Sequence, residues 1–384
     1  MTVEGRPRPE DFLELVERAA KGRLKVYIGY AAGVGKTFRM LEEAHALRKR
    51  GVDVVLAFIE THGRQETAAL IDGLEYVARQ QIPYRGLAVE EMDLDAVIAR
   101  HPQIAVVDEI AHTNAPGCRN RKRYQDVLEL LDRGINVICA FNVQHLESLK
   151  DIVERATGVV IRETVPDSFL KRADQVVNLD LAAEDLVERL RAGKIYDQEK
   201  VAWALAHFFK DENLSTLREL ALREVAESLD RSSSKPVRAV GESLADAAAD
   251  RLMVCISSFS PRAATLLRRG SRIAGRLNTD WFVVYVETPE ESPTRISAEA
   301  QRHLLANIET ARELGAEVVR LQAREAVAAI LDFARSHRVR HIIVGRSFQP
   351  WWRRLWRGSF VDRMVKEAAG FDLLIVSFDE ESRP

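Results

Sequence analysis

The stretch Gly29-Tyr30-Ala31-Ala32-Gly33-Val34-Gly35-Lys36-Thr37 constrains the fold more than any other part of the chain. It follows an apolar run, Leu24-Lys25-Val26-Tyr27-Ile28, that reads as a buried strand. It leads into a helical pattern with Met40, Ala44 and Leu47 on one face and Gly51 as a stop. Strand, glycine-rich turn, Gly-Lys-Thr and helix, in that order, form a phosphate-binding loop. Gly29, Gly33 and Gly35 would let backbone N–H groups turn towards a phosphate, and the helix start adds positive potential. Lys36 would reach the β- and γ-phosphates of ATP, and the Thr37 hydroxyl would ligate Mg²⁺. The common spacing puts its first glycine at position 30, where this chain has Tyr30, so Gly29 comes early. The bland alternative is a Gly-rich strand-to-helix turn with an incidental lysine.

A metal–phosphate site needs a second half, and Ile104-Ala105-Val106-Val107-Asp108-Glu109 has its form. An apolar strand ending in an acidic pair places Asp108 to hold Mg²⁺ and Glu109 to position a water, the one candidate catalytic residue. A further strand over 135–141 ends in Asn142-Val143-Gln144-His145, and Asn142 and Gln144 are candidate γ-phosphate sensors. Val52–Ile59 is an apolar run with one aspartate, as in a strand covered on both faces. The loop after it offers Glu60, Thr61, His62 and Arg64, because ligands in open α/β sheets sit at the carboxyl ends of strands. The pattern also predicts a leading helix near Pro9–Val16, a helix near Gln65–Gln80, a short strand near Pro83–Gly86 and a helix near Leu94–Ala99. The basic cluster Arg119-Asn120-Arg121-Lys122-Arg123 reads first as a solvated helix start, with a phosphate or an acidic partner as the alternative. Arg64 and Arg119 are the two candidates for an arginine finger.

The chain has 384 residues, room for two or three domains, and its net charge of −2 gives no electrostatic reason to expect nucleic acid or an anionic membrane. Cys118, Cys139 and Cys255 lie far apart, so neither a disulfide framework nor a zinc ribbon is expected. No apolar run is long enough to span a bilayer and the first residues lack a secretory pattern, so a cytoplasmic protein is expected.

Gly29–Thr37, the run Val107-Asp108-Glu109-Ile110-Ala111-His112-Thr113-Asn114-Ala115-Pro116-Gly117 and Asn142-Val143-Gln144-His145-Leu146-Glu147-Ser148-Leu149 resemble the N-terminal cytoplasmic region of the KdpD family of osmosensitive potassium-channel sensor kinases. So do Arg162-Glu163-Thr164-Val165-Pro166-Asp167 and the stretch Leu214–Arg223. The resemblance covers roughly residues 20–230. It implies the same early first glycine and a two-component regulatory role in the potassium or turgor response, controlling potassium-transporter expression. Full members continue into membrane helices and a histidine-kinase core. Here no membrane run, phosphoacceptor histidine pattern or glycine-rich kinase box is read before Pro384. The expectation is therefore a sensing module without its own kinase core, either a free-standing short form or a piece of a longer chain. A P-loop ATPase or small phosphotransferase is the alternative.

The fold class expected is α/β: a P-loop NTPase-like parallel sheet over 1–229 with a helical extension from Asp197 to Leu229, then a linker over 230–249, then a five-stranded parallel α/β domain over 250–384. Asp230-Arg231-Ser232-Ser233-Ser234-Lys235-Pro236 has linker composition. The second half resembles the universal stress protein fold. That family's G-x2-G-x9-G-[ST] signature appears as Gly345, Phe348 in place of the second glycine, then Gly358-Ser359 at a helix start. Ser258 stands where nucleotide-binding members place an Asp. The resemblance also implies cyclic di-AMP, held by Ser258, Ser260 and Tyr285, with Trp281 beside them; the bland reading makes both aromatics core. Arg346, Arg353 and Arg354, interleaved with Trp351, Trp352 and Trp356, would clasp a dinucleotide or dock a protein partner such as a sensor kinase.

Overall fold

The structure is a computed structural model and describes residues 21–84, 86–233, 251–258, 263–277, 279–289, 291, 295–345 and 360–377, with side chains described only to 227 in the helix that ends at Ser233. The leading helix expected near residue 9 lies outside them, as do Ser260, Arg346, Phe348, Trp351, Trp352, Arg353, Arg354, Trp356, Gly358 and Ser359. The chain divides into two compact units that part after Ala226.

The first unit is built on a six-stranded parallel sheet. Its strands are β1 (Leu24–Gly29), β2 (Val54–Phe58), β3 (Glu75–Tyr76), β6 (Ile104–Val107), β7 (Asn136–Asn142) and β8 (Gln175–Leu179), in the order β3-β2-β6-β7-β1-β8. Side chains alternate across it, as a pleated strand requires. Val26 and Ile28 of β1, Ala105 and Val107 of β6, and Cys139 and Phe141 of β7 enter one core. Tyr27, Val106, Ile138 and Ala140 enter the other, beneath Met40, Leu41 and Ala44 of the helix Lys36–Lys49. Covering on both faces explains why these strands read as continuous apolar runs.

Three local expectations are corrected. The helix expected over Gln65–Gln80 is one turn, Gln65–Ala68, followed by a 3-10 turn, Ala69–Ile71. Gly73, at φ 79°, then reverses the chain, and Glu75–Tyr76 joins the sheet edge beside β2. The strand expected near Pro83–Gly86 is longer and antiparallel: β4 (Gln80–Tyr84) pairs with β5 (Leu87–Glu91) as a separate ribbon. The helix Asp211–Ser233 runs into the Ser-rich stretch read as linker, its exposed face carrying pairs such as Glu219–Arg223. A second helix, Gln198–His207, precedes it, so the helical extension has two parts.

The second unit is a five-stranded parallel sheet in the order β11-β10-β9-β12-β13. The strands are β9 (Arg251–Ile256), β10 (Trp281–Glu287), β11 (Glu317–Gln322), β12 (Val339–Gly345) and β13 (Asp372–Val376). Among the described residues, each link between successive strands carries one helix, Ala263–Arg276, Ala298–Glu313, Ala326–Ser336 or Phe360–Glu367. Leu252, Val254, Trp281, Val283 and Tyr285 enter the core of one face, and Met253, Cys255, Phe282 and Val284 that of the other. The alternating strand–helix reading and the α/β class are both as expected from sequence.

Candidate functional site

Parallel strands put all their carboxyl ends on one edge of the sheet, and in the first unit that edge opens into a cleft of about 1070 Å³. Its floor is the turn after β1. Gly33 (φ 92°) and Gly35 (φ 96°) take the left-handed conformation that glycine permits, and Gly35 is the N-cap of the helix Lys36–Lys49. That helix has no acid in its first turn, so its positive end is left for an anion. Gly29 is needed for a different reason: a Cβ there would lie 2.4 Å from a Val34 methyl, so only glycine lets the turn fold back on β1. Tyr30, at the position where the usual spacing has glycine, is buried and its hydroxyl donates to the Leu181 carbonyl at 2.9 Å. The residue that breaks the motif thus ties the loop to the segment after β8.

β7 lies between β1 and β6, and its end falls level with Gly29. The Asn142 side-chain oxygen therefore accepts from Lys36 Nζ, which also donates to the Ala31 carbonyl at 3.2 Å. Lys36 is half-buried, lining the cleft with two protein oxygens at its ammonium. This desolvation pulls its pKa down to about 8, only partly offset by attraction from Asp108. Beside it, Thr37 Oγ1 donates to Asp108 Oδ2 at 2.7 Å, and Asp108 Oδ1 accepts from the Glu109 amide at 2.9 Å. Burial pushes the Asp108 carboxyl upward, against those two hydrogen bonds.

Glu109 itself has φ 52°, a left-handed conformation at a non-glycine residue, and turns its carboxylate to His62 Nε2 at 2.8 Å. Burial alone would raise the Glu109 pKa, but the His62 ring and the fields of Arg123 and His112 outweigh it and hold it low. The bond to Glu109 raises that of His62. His62 and Arg64 face the cleft, whereas Glu60 turns to Arg79 and Thr61 is not among the lining residues.

Gly33, Gly35, Lys36, Thr37, Asp108, Glu109 and Asn142 therefore converge on one cleft. Gln144 does not line it; its side-chain oxygen is buried without a partner among the described residues, and its amide lies 3.5 Å from His145. Arg119 is also elsewhere, held by Asp95 and by Glu129 at 2.6 Å, which removes it as an arginine finger. The basic cluster is not a solvated helix start throughout: Arg123 is 1% exposed, lies 3.6 Å over the Phe58 ring and pairs with buried Glu91 at 3.0 Å. Glu91 also accepts from the Ala115 amide at 2.8 Å and meets His112, a cleft residue, at 3.0 Å.

The wall formed by Arg189, Lys194, Ile195 and Tyr196 was invisible in the sequence. Ile195 packs on the glycine-rich loop so closely that a Cβ at Gly33 would lie 2.3 Å from it, and Arg189 donates to the Gly33 carbonyl at 2.9 Å. The only signal for it was the Tyr30 departure, which points to a contact with the segment beyond β8.

In the second unit, Trp281 and Tyr285 are core residues, 2% and 4% exposed, and the Tyr285 hydroxyl donates to the Glu291 carbonyl at 3.0 Å. Ser258 is buried just past β9 and its hydroxyl has no partner among the described residues, while Gly345 closes β12.

The profile of the KdpD family, described as the osmosensitive K⁺ channel His kinase sensor domain, matches residues 20–229, and that of the universal stress protein family matches 249–377. The sensor protein KdpD of Escherichia coli strain K12 is 43% identical over 376 residues, which are 98% of this chain and 41% of that protein. The putative sensor protein KdpD of Synechocystis sp. is 43% identical over 360 residues, 93% of this chain and 94% of that one. A crystal structure of a universal stress protein in complex with cAMP aligns with 34% of this chain and 98% of its own at 19% identity, with a TM-score of 0.27, too slight a likeness to carry an argument. The chain thus spans about two fifths of the Escherichia coli relative and nearly all of the Synechocystis one. Among the described residues no helix is long and apolar enough to cross a membrane. With its sensor-domain profile spanning every residue that lines the cleft and a universal stress protein profile following it, the chain belongs to the KdpD family.

Proposed function

We propose that the first unit binds ATP with Mg²⁺ and serves as the nucleotide-responsive part of a KdpD-type two-component sensing system for potassium or turgor. The observation that carries this reading is the desolvated Lys36 ammonium, which among the described residues donates only to neutral oxygens, at the start of a helix beside the Thr37–Asp108 pair. A cation so placed is costly without an anion, and a polyphosphate supplies one. Thr37 and Asp108 offer hard oxygen donors of the kind Mg²⁺ takes, and would hold it. Held there, the ion would supply positive charge to offset that of the phosphates. Lys36, the loop amides around Gly33 and Gly35, and Asn142 would orient the phosphates.

ATP turnover is the second reading, with Glu109 orienting water. The contact of Glu109 with His62 favours binding over turnover, because it occupies the carboxylate that would do so. Calorimetry on the full chain tests the assignment: ATP binds in the presence of Mg²⁺, and Lys36→Ala abolishes that binding. Unchanged affinity in the variant refutes it.

For the second unit we propose a second nucleotide, cyclic di-AMP, with Ser258 and Tyr285 among its ligands. The buried Ser258 hydroxyl at the carboxyl edge of the sheet, without a partner among the described residues, supports this. Binding of cyclic di-AMP weakened by Tyr285→Ala is the expected result. No binding at about 50 µM, near −6 kcal/mol, leaves this unit as a docking module for a protein partner.

A further inference from the structure

The cleft holds two desolvated cations, not one. Arg64 enters from the loop after β2, on the far side of β6 from the phosphate loop. It crosses to the opposite wall, where its Nη2 donates to the Ile195 carbonyl at 3.2 Å. Its Nε is buried and has no partner among the described residues. Neither Arg64 nor Lys36 forms an ion pair among the described residues, and each makes the other's charge more costly. Asp108 and Glu109 are within electrostatic reach of both cations but are engaged by Thr37 and His62. Two unpaired cations facing one cleft call for an anion that spans them. A planar guanidinium suits a terminal phosphate, to which it can present two parallel N–H donors.

We propose that Arg64 binds the terminal phosphate of the nucleotide and that its bond to Ile195 passes the phosphate state to the helices at 198–226. The inference deepens the ATP reading of Lys36 and Thr37 and rests on it. Arg64 is a binding and positioning residue here, with no bond-making step assigned to it. The route is short. Ile195 sits on Gly33, Tyr196 packs edge-on to Phe209 at 6.0 Å, and the helix Gln198–His207 begins immediately after. A phosphate that draws the guanidinium away from, or holds it against, the Ile195 carbonyl therefore acts on the first turn of that extension. A nucleotide lacking the terminal phosphate leaves Arg64 where it is.

The test compares ATP and ADP, each with Mg²⁺, on the full chain by calorimetry and by amide hydrogen exchange. In the wild type, ATP should protect the backbone over 193–209 more than ADP does. Arg64→Ala should weaken ATP about tenfold to hundredfold, leave ADP within about threefold, and abolish the difference in protection. Retained ADP affinity shows that the variant is folded, and Arg64→Lys should recover part of the ATP affinity. Equal weakening of both nucleotides, or a difference in protection that survives in Arg64→Ala, overturns the proposal while leaving the ATP reading intact. A wild type that binds neither nucleotide overturns both.

Discussion

Lys36→Met offers a direct probe of how the cleft treats its cation. The ammonium is held near a pKa of about 8 in the folded chain against 10.5 in a free lysine. The folded state thus binds fewer protons than the unfolded state between those values, and in that window the wild type gains stability as pH rises. Below pH 8 both states are protonated and the cost of the desolvated charge is felt in full. The Met side chain has no such charge. Losing the hydrogen bonds to Asn142 and Ala31 destabilises the variant, but by an amount that does not change with pH, and the other titrating groups are common to both proteins. The difference between the two proteins should therefore shift in the wild type's favour by about 1–2 kcal/mol between pH 7 and 9.5, taking 1.36 kcal/mol per pKa unit and allowing for Lys36's contact with water in the cleft. Urea unfolding at the two pH values reads this. The same linkage acts on the ligand: a phosphate restores the lysine's pKa, so the complex holds the extra proton. ATP affinity should fall about tenfold from pH 7 to 9 in calorimetry. Parallel stabilities of wild type and variant across this range, with ATP affinity flat, would refute a desolvated, unpaired Lys36.

Asp108→Asn should weaken Mg²⁺-dependent ATP binding more than binding in the presence of a chelator; equal losses in calorimetry would remove Asp108 from the metal site. Arg123→Met leaves Glu91 buried without its charged partner and should cost about 3–5 kcal/mol in chemical unfolding, whereas the double variant with Glu91→Gln should recover much of that loss. No recovery would mean that Arg123 acts through its packing on Phe58 alone.

The sheet frameworks of both units were legible because strands covered on both faces leave unbroken apolar runs, and because the phosphate-loop pattern is local. The errors arose where the deciding contact is distant. Residues 65–80 carry helical composition, but Gly73 and the free edge of β2 turn them into a strand. Arg123 sits in a basic string indistinguishable from a solvated one, and only Phe58 and Glu91, far away in sequence, make it a core residue. For the cleft, Lys36, Thr37, Asp108 and Asn142 were legible as candidates from strand ends. Ile195 and Tyr196 were not, since no periodicity marks a segment that folds back onto a loop more than a hundred residues earlier.

That return contact has a consequence for how the cleft comes into being. β8 pairs beside β1, and the side chain of Ile195 fills the space over Gly33. The shortest fragment carrying the whole cleft therefore ends beyond Tyr196, although the motif residues that line it, Gly33 to Asn142, all lie before position 143. During synthesis, a chain emerging from the ribosome would display a complete phosphate-loop sequence long before it possessed a cleft. The loop can gain its second wall only after the chain has been made past Tyr196 and that segment has folded back over Gly33.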